Sequence, residues 1–178
     1  MSFFELVKKR RSCRKYLSRP IVRETLQRCL EAARLAPSAC NSQPWHFIVV
    51  QGKFLKDELS RVAFSGVHSM NSFAKEAPVL VVVVRNKSLY SAQLGGQLRG
   101  TQYNLIDLGI ACQHLILQAQ EEGLGSCWIG WFDERAVKKI LKVPRDKKVD
   151  IIISLGYSGE KLQEVKTRKL LSEISEFR

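Results

Sequence analysis

The chain has 178 residues, 45% of them apolar and 26% charged, and a formal net charge of +12. That apolar share is ordinary for a globular protein and excludes a disordered one, and the length is that of one domain, residues 1–178. The positive excess favours anionic partners: nucleic acid, an acidic membrane surface or phosphorylated small molecules.

Phe3 to Arg10 is predicted to be a short amphipathic helix with Phe3, Phe4, Leu6 and Val7 on its apolar side. Val22 to Leu35 carries apolar residues near helical spacing, and Pro37 closes it. Trp45 to Val50 reads as a strand, Lys53 to Phe64 as a helix, and Ser65 to Lys75 as a mobile loop of Gly, Ser, Asn, His and Met. Val79 to Val84 is uniformly apolar and fits a strand buried on both faces. Lys87 to Gln102, polar and holding Gly95, Gly96 and Gly100, is expected to be a lid or insertion.

Leu105 to Gln120 is the clearest helix, ended by Gly123. A short strand is expected over Ser126 to Trp131, a helix over Glu134 to Leu141, and an apolar strand over Val149 to Gly156. Glu160 to Arg178 is a polar tail with sparse apolar residues and little independent reason to fold, which suits packing on a partner subunit. The order gives an α/β (α+β) sandwich, a central mixed sheet flanked by helices.

Cys13, Cys29, Cys40, Cys112 and Cys127 show no C-x-x-C spacing and are odd in number, against a disulfide framework or a zinc site. Free thiols suit a reducing cytoplasm. Met1 to Arg14 has neither a long apolar segment nor a cleavage signature, and Val79 to Val84 is too short to span a bilayer, so no signal peptide or membrane span is expected.

Four segments can carry chemistry. Arg10, Arg11, Ser12 and Arg14 put several guanidinium forks within about one turn. Such forks bind phosphate bidentately, and a solvated basic face or a nucleic-acid contact would read the same way. Pro37, Ser38, Ala39, Asn41, Gln43, Pro44 and Trp45 form an amide-rich turn between helix and strand. Asn41 and Gln43 each bring a donor and an acceptor that match an imide ring edge, although such residues dominate ordinary turns too. Gly123 to Phe132 lets the backbone approach a ligand closely around Ile129, Gly130 and Trp131, or is simply a helix cap followed by a buried strand. Lys166 to Lys169 alternates cations that can clamp a phosphate or sit in a charged tail. His46, His68 and His114 are isolated, and Cys127 reads as a packed thiol rather than a nucleophile. The cationic run and the amide-rich turn together suit a flat, phosphorylated, hydrogen-bonding ligand, which points to flavin mononucleotide (FMN).

These segments, in this order, resemble the nitroreductase family of FMN-dependent oxidoreductases. The likeness rests on R-R-S-x-R at Arg10 to Arg14, P-S-x-x-N-x-Q-P-W at Pro37 to Trp45, A-P-V-x-V-V-V from Ala77, and Asp107 to Ala111 leading to G-L-G-S-C-W-I-G. Leu155-Gly156-Tyr157 and the terminal K-x-R at Lys166 complete it. The resemblance implies a homodimer with FMN at the subunit interface and the tail wrapped around the partner. Arg10, Arg11, Ser12 and Arg14 would then meet phosphate, ribityl or pyrimidine atoms, with Lys166 and Arg168 completing the phosphate site. Pro37, Ser38, Ala39, Asn41 and Gln43 would come from the other subunit, and Ile129, Gly130 and Trp131 would lie by the flavin ring. The chain departs from the family near flavin N5: Gly130-Trp131 stands where many members have an acidic residue followed by Gly.

The implied activity is hydride transfer from NADH or NADPH to a small-molecule electron acceptor such as a nitroaromatic or quinone. It follows a ping-pong pattern, with no side-chain catalyst and no metal. Reductive dehalogenation or a flavin-consuming reaction keeps the same fold. A basic nucleic-acid-binding module explains the charge but not the buried strands, and no recognition motif supports specific nucleic-acid binding.

Overall fold

The computed structural model describes residues 1–86, 96, 98, 100–160 and 166–178. The expected lid or insertion over 87–102 falls largely outside them. Among them four strands form one sheet in the order β1-β2-β4-β3: β1 (Trp45–Val50), β2 (Val79–Arg85), β3 (Gly125–Ile129) and β4 (Lys148–Gly156). Among the described residues five α-helices accompany them: α1 (Phe3–Lys9), α2 (Arg23–Arg34), α3 (Lys53–Ala63), α4 (Tyr103–Glu121) and α5 (Glu134–Ile140).

The sheet is organised around β2, whose Val79 to Val84 are all buried. Successive side chains of a strand point to opposite faces. Leu80, Val82 and Val84 therefore enter one core, with Leu59, Ala63 and Phe64 from the α3 side and Val137 from α5. Val79, Val81 and Val83 enter the other, with Leu26, Cys29 and Ala33 of α2 and Leu108, Cys112, Leu115 and Ala119 of α4. The α2 and α4 sets recur every three or four residues, the period that keeps one helix face on a sheet.

All four strands pair antiparallel. The mixed character expected of the sheet is confined to an isolated parallel bridge, Ser12 to Ser126, which adds the N-terminal segment to the β3 edge. Helix α4 ends at Gly123, whose φ of 76° suits glycine. There the Leu124 N–H reaches the Ala119 carbonyl at 2.8 Å, closing the helix in a Schellman turn. Asp133 caps α5, its carboxylate accepting the Ala136 N–H at 3.0 Å.

Two expectations need correction. Ser65 to Lys75 is not a mobile loop: Gly66–Glu76 is a 3-10 helix kinked at Asn71. It is pinned where the largely buried Lys56 Nζ donates to the Lys75 carbonyl at 2.8 Å, and where Ala74 is fully buried with Phe73 packed beside it. The β3 strand also stops at Ile129, two residues before the expected end. The apolar side of α1 exists but is largely uncovered among the described residues, for Phe3 and Phe4 are 70% and 66% exposed.

A Cβ placed on Gly125 would sit 2.7 Å from the Cys13 Cβ and 2.8 Å from its Sγ. Gly125→Ala is therefore expected to push the N-terminal segment off the β3 edge. Overpacking of this kind costs about 1–3 kcal/mol, read as a lower urea midpoint.

Candidate functional site

The residues singled out in the sequence fall into three groups. The first lies along the β3 edge. Arg10 ends α1, its N–H donating to the Leu6 carbonyl, and the chain then runs extended beside β3. The Cys13 N–H donates to the Ser126 carbonyl at 2.8 Å. The Tyr16 hydroxyl donates to the Cys13 carbonyl at 2.8 Å and lies 2.8 Å from the Ser154 hydroxyl. This lacing fixes the direction in which Arg10, Ser12 and Arg14 leave the backbone. The Arg14 N–H donates to the Glu160 carboxylate at 2.7 Å, and its guanidinium lies 5.8 Å from the Phe73 ring centre.

The C-terminal cations join this group. The Lys166 ammonium donates to the Val7 carbonyl of α1 at 2.9 Å. Burial depresses the Lys166 pKa, and the nearby Arg10, Arg168 and Arg11 depress it further. Burial and Arg168 likewise lower Arg10. Like charges that disfavour one another's protonated forms mark a local excess of positive potential. Arg10, Arg11, Lys166 and Arg168, widely separated in sequence, are thus one electrostatic unit. Cys127 of β3 lies within its field: burial raises its pKa, while Arg14, Arg10 and a hydrogen bond from Ser12 pull it down. The thiol is buried, as a packed cysteine should be.

The second group is Ile129, Gly130 and Trp131. The Ile129 side chain is 2% exposed and belongs to the core, so only its backbone is on offer. A Cβ on Gly130 would meet nothing within 4 Å, which leaves the main chain open to a ligand. The Trp131 indole is 55% exposed yet held, its Nε1–H donating to the Val67 carbonyl at 3.0 Å. Asn71 donates to the Trp131 carbonyl at 2.8 Å, and the His68 ring centre lies 5.1 Å from the indole. The 3-10 helix read as a loop is therefore the buttress of this group.

The third group is the turn of Pro37 to Gln43. Cys40, Asn41 and Gln43 all have positive φ, at 51°, 51° and 43°. A non-glycine residue in this region costs of order 1–3 kcal/mol and persists only where surroundings impose it. Here Ser38 Oγ accepts the Gln43 N–H at 3.0 Å, and Gln43 Nε2 donates to Asn41 Oδ1 at 2.9 Å. The Asp107 carboxylate of α4, 3% exposed, accepts the Ala39 N–H at 3.0 Å and the Ser42 hydroxyl at 3.4 Å. The sequence reading gave Asp107 no role in the site. The available signal was a carboxylate on the inner side of the most apolar long helix, where an unpaired charge is not tolerated.

An anion-seeking cluster, an accessible main chain at Gly130 and a strained turn that projects amide groups fit a phosphorylated, planar, hydrogen-bonding group such as FMN. The His/Cys/Asp/Glu side chains form no metal-binding cluster among the described residues. No described helix is long and apolar enough to cross a membrane.

The sequence matches the nitroreductase family over residues 7–157. It is 31% identical to an NADH dehydrogenase of Thermus thermophilus, across 85% of this chain and 84% of the relative. An iodotyrosine deiodinase of Thermotoga neapolitana is 28% identical, across 88% and 89%. Among solved structures, an FMN-dependent nitroreductase of Clostridium difficile superposes with a TM-score of 0.77 at 32% identity, each chain covered to 98%. The chain belongs to the nitroreductase family. It is an oxidoreductase that uses FMN as cofactor and NAD(P)H as electron donor.

Burial raises the Cys29 and Cys112 thiols to about 12, and Cys13 and Cys127 are buried as well; Cys40 is exposed. Titration of the native apoprotein with an aromatic disulfide at pH 8 is expected to modify one thiol per chain quickly. The other four should react only on unfolding.

Proposed function

We propose that the chain passes reducing equivalents from NADH or NADPH to nitroaromatic or quinone acceptors over one flavin bed, in a ping-pong sequence. In this reading Arg10, Arg11, Lys166 and Arg168 hold the FMN phosphate, and Ser12 and Arg14 meet its ribityl and pyrimidine atoms. Main-chain groups at Ile129 and Gly130, with the Trp131 indole, line the ring. Pro37, Ser38, Ala39, Asn41 and Gln43 approach from a second copy of the chain, so that residues 1–178 act as one flavin-binding unit within a homodimer.

The observation that carries the reading is the electrostatic unit at the β3 edge. Lys166 and Arg10 both have depressed pKa values because burial and other cations act on them. A dianionic phosphate relieves that repulsion through charge-assisted hydrogen bonds. The surface depressions along α2 (Glu24, Arg28, Glu31) and α3 (Lys53, Phe54, Arg61) share no residue with any of the three groups. Gly130 and Trp131 are exposed on one chain, which suits cover by a partner. Exposed Phe3, Phe4, Leu170, Leu171, Ile174 and Phe177 supply apolar surface for such a partner.

When bound, FMN supplies the redox chemistry, accepting a hydride and returning it. The chain binds, orients and tunes. Cations by the phosphate anchor one end. Cations near the pyrimidine edge stabilise negative charge gained on reduction. The Gly130 main chain, free of a side chain, can present a donor without blocking access. The strained turn fixes its amides before the cofactor arrives, so little ordering cost is left for binding. The remaining positive charge, in scattered pairs such as Lys138-Lys139, makes only a nonspecific, salt-sensitive contribution toward nucleic acid.

Arg10→Ala and Arg168→Ala are expected to weaken FMN far more than riboflavin. A charge-assisted contact is worth roughly 1.5–3 kcal/mol, or about 10- to 150-fold, and riboflavin has no phosphate to lose. Equal losses in fluorescence titrations of the two ligands would move these residues away from the phosphate.

Steady-state kinetics with NAD(P)H and a nitroaromatic or quinone should give parallel double-reciprocal lines. Intersecting lines would refute a shared bed. Halide release from a halogenated phenol without nitro or quinone turnover would favour reductive dehalogenation instead; the Thermotoga relative is named an iodotyrosine deiodinase.

A further inference from the structure

The turn at Ser38 to Gln43 invests backbone strain without gaining a core. Pro37, Asn41 and Gln43 are exposed, and Ser38 and Ala39 only half-buried. Three of its residues nevertheless keep positive φ. A strained conformation that buries little is held for the direction of its surface groups, and something rigid must hold it.

Two sets of contacts do so. Within the turn, the Ser38 hydroxyl and the Asn41 and Gln43 amides bind one another. From outside, α4 supplies the carboxylate of Asp107, which takes the Ala39 N–H on Oδ1 at 3.0 Å and the Ser42 hydroxyl on Oδ2 at 3.4 Å. These two contacts straddle Cys40 and Asn41, the residues at φ 51°. Asp107 is also nearly fully buried. It is 3% exposed, beside the fully apolar Leu108 and Ala111 in the helix that faces the sheet. Helix α4 is the longest of the described helices and packs against α2 and the sheet, so its position does not depend on the turn.

From this geometry we infer that Asp107 is the positioning residue of the flavin site: its buried carboxylate tethers the strained turn to α4 and so aims the Ser38, Ala39 and Asn41 groups at the cofactor ring. The assignment rests on the flavin reading given above. Asp107 does not touch the cofactor. It acts through Ala39 and Ser42, and its removal frees the ring-side contacts while leaving the phosphate cluster at the β3 edge in place.

The test compares wild type, Asp107→Ala, Asp107→Asn and Ser42→Ala in two measurements. The first is affinity for FMN and for riboflavin. The second is hydrogen exchange at the Ala39 amide in the apoprotein. Asp107→Ala should weaken both flavins by the same factor, roughly tenfold or more, with their ratio unchanged, in contrast to loss of a phosphate-binding arginine. Its Ala39 amide should exchange faster, while amides of β2 keep their protection. Asp107→Asn keeps an Oδ1 acceptor for that amide and should recover most of the affinity. Ser42→Ala, which leaves the carboxylate in place, should show a smaller loss with the same ratio, and it carries the test if Asp107→Ala does not fold.

An Asp107→Ala protein that binds flavin like wild type, keeps Ala39 protected, or loses FMN selectively overturns the assignment. So does an Asp107→Asn protein as impaired as Asp107→Ala. A wild-type chain that takes up neither flavin overturns the flavin reading itself, and the assignment with it.

Discussion

The segment from Ser12 to Tyr16 is laced to the edge of the sheet, and the arrangement of charge in the molecule depends on that lacing. The Cys13 amide is spent on β3, and the Leu17 amide on the Tyr157 carbonyl at 2.9 Å. The Tyr16 hydroxyl reaches across to Ser154 of β4, with burial holding the phenol well above its ordinary pKa. Two glycines allow the close approach. A side chain on Gly125 would strike Cys13, and one on Gly156 would strike Tyr16 and Pro78 at 2.6 Å. Without this edge, Arg10 and Arg14 would be solvated cations on an N-terminal arm. With it, they stand at fixed places beside β3, and the C-terminal Lys166 docks on the carbonyl of Val7.

The sheet then separates two kinds of rigidity. On one face, α2 and α4 pack against Val79, Val81 and Val83, and α4 carries the carboxylate that grips the turn after α2. On the other, α3 and the 3-10 helix pack against Leu80, Val82 and Val84, and the 3-10 helix braces Trp131 through Asn71 and Val67. Neither the turn nor the Gly130–Trp131 pair contributes much to a core. Each is a surface feature fastened to a core element, the arrangement by which loops keep a ligand's geometry.

How much was legible in the sequence follows from the range of the interactions. The β2 run and the α4 period are local patterns and could be read directly. Membership of the family was legible too, because its motifs are short blocks with fixed chemistry. The 3-10 helix at Gly66–Glu76 was misread because its composition is that of a loop. What orders it is distant: the Lys56 ammonium, Trp131, and the burial of Ala74. Asp107 was visible as a motif letter, but its role depends on Ala39 and Ser42, 68 and 65 residues away. The union of Arg10 with Arg168 likewise spans nearly the whole chain, and each run taken alone reads as an ordinary basic surface.

Folding gathers cations that the unfolded chain keeps apart, and this has a consequence for the stability of the protein. Mutual repulsion within the cluster at the β3 edge opposes the folded state, and a bound anion would relieve it. A ligand that binds only the folded form adds stability by mass action, about 2.7 kcal/mol at a hundredfold excess over its dissociation constant. Against a typical total of 5–15 kcal/mol, roughly, that is a large share. With the cofactor placed as proposed, its binding would steady the fold as well as enable the chemistry. By the same linkage, a chain without flavin is expected to open more often than one that holds it.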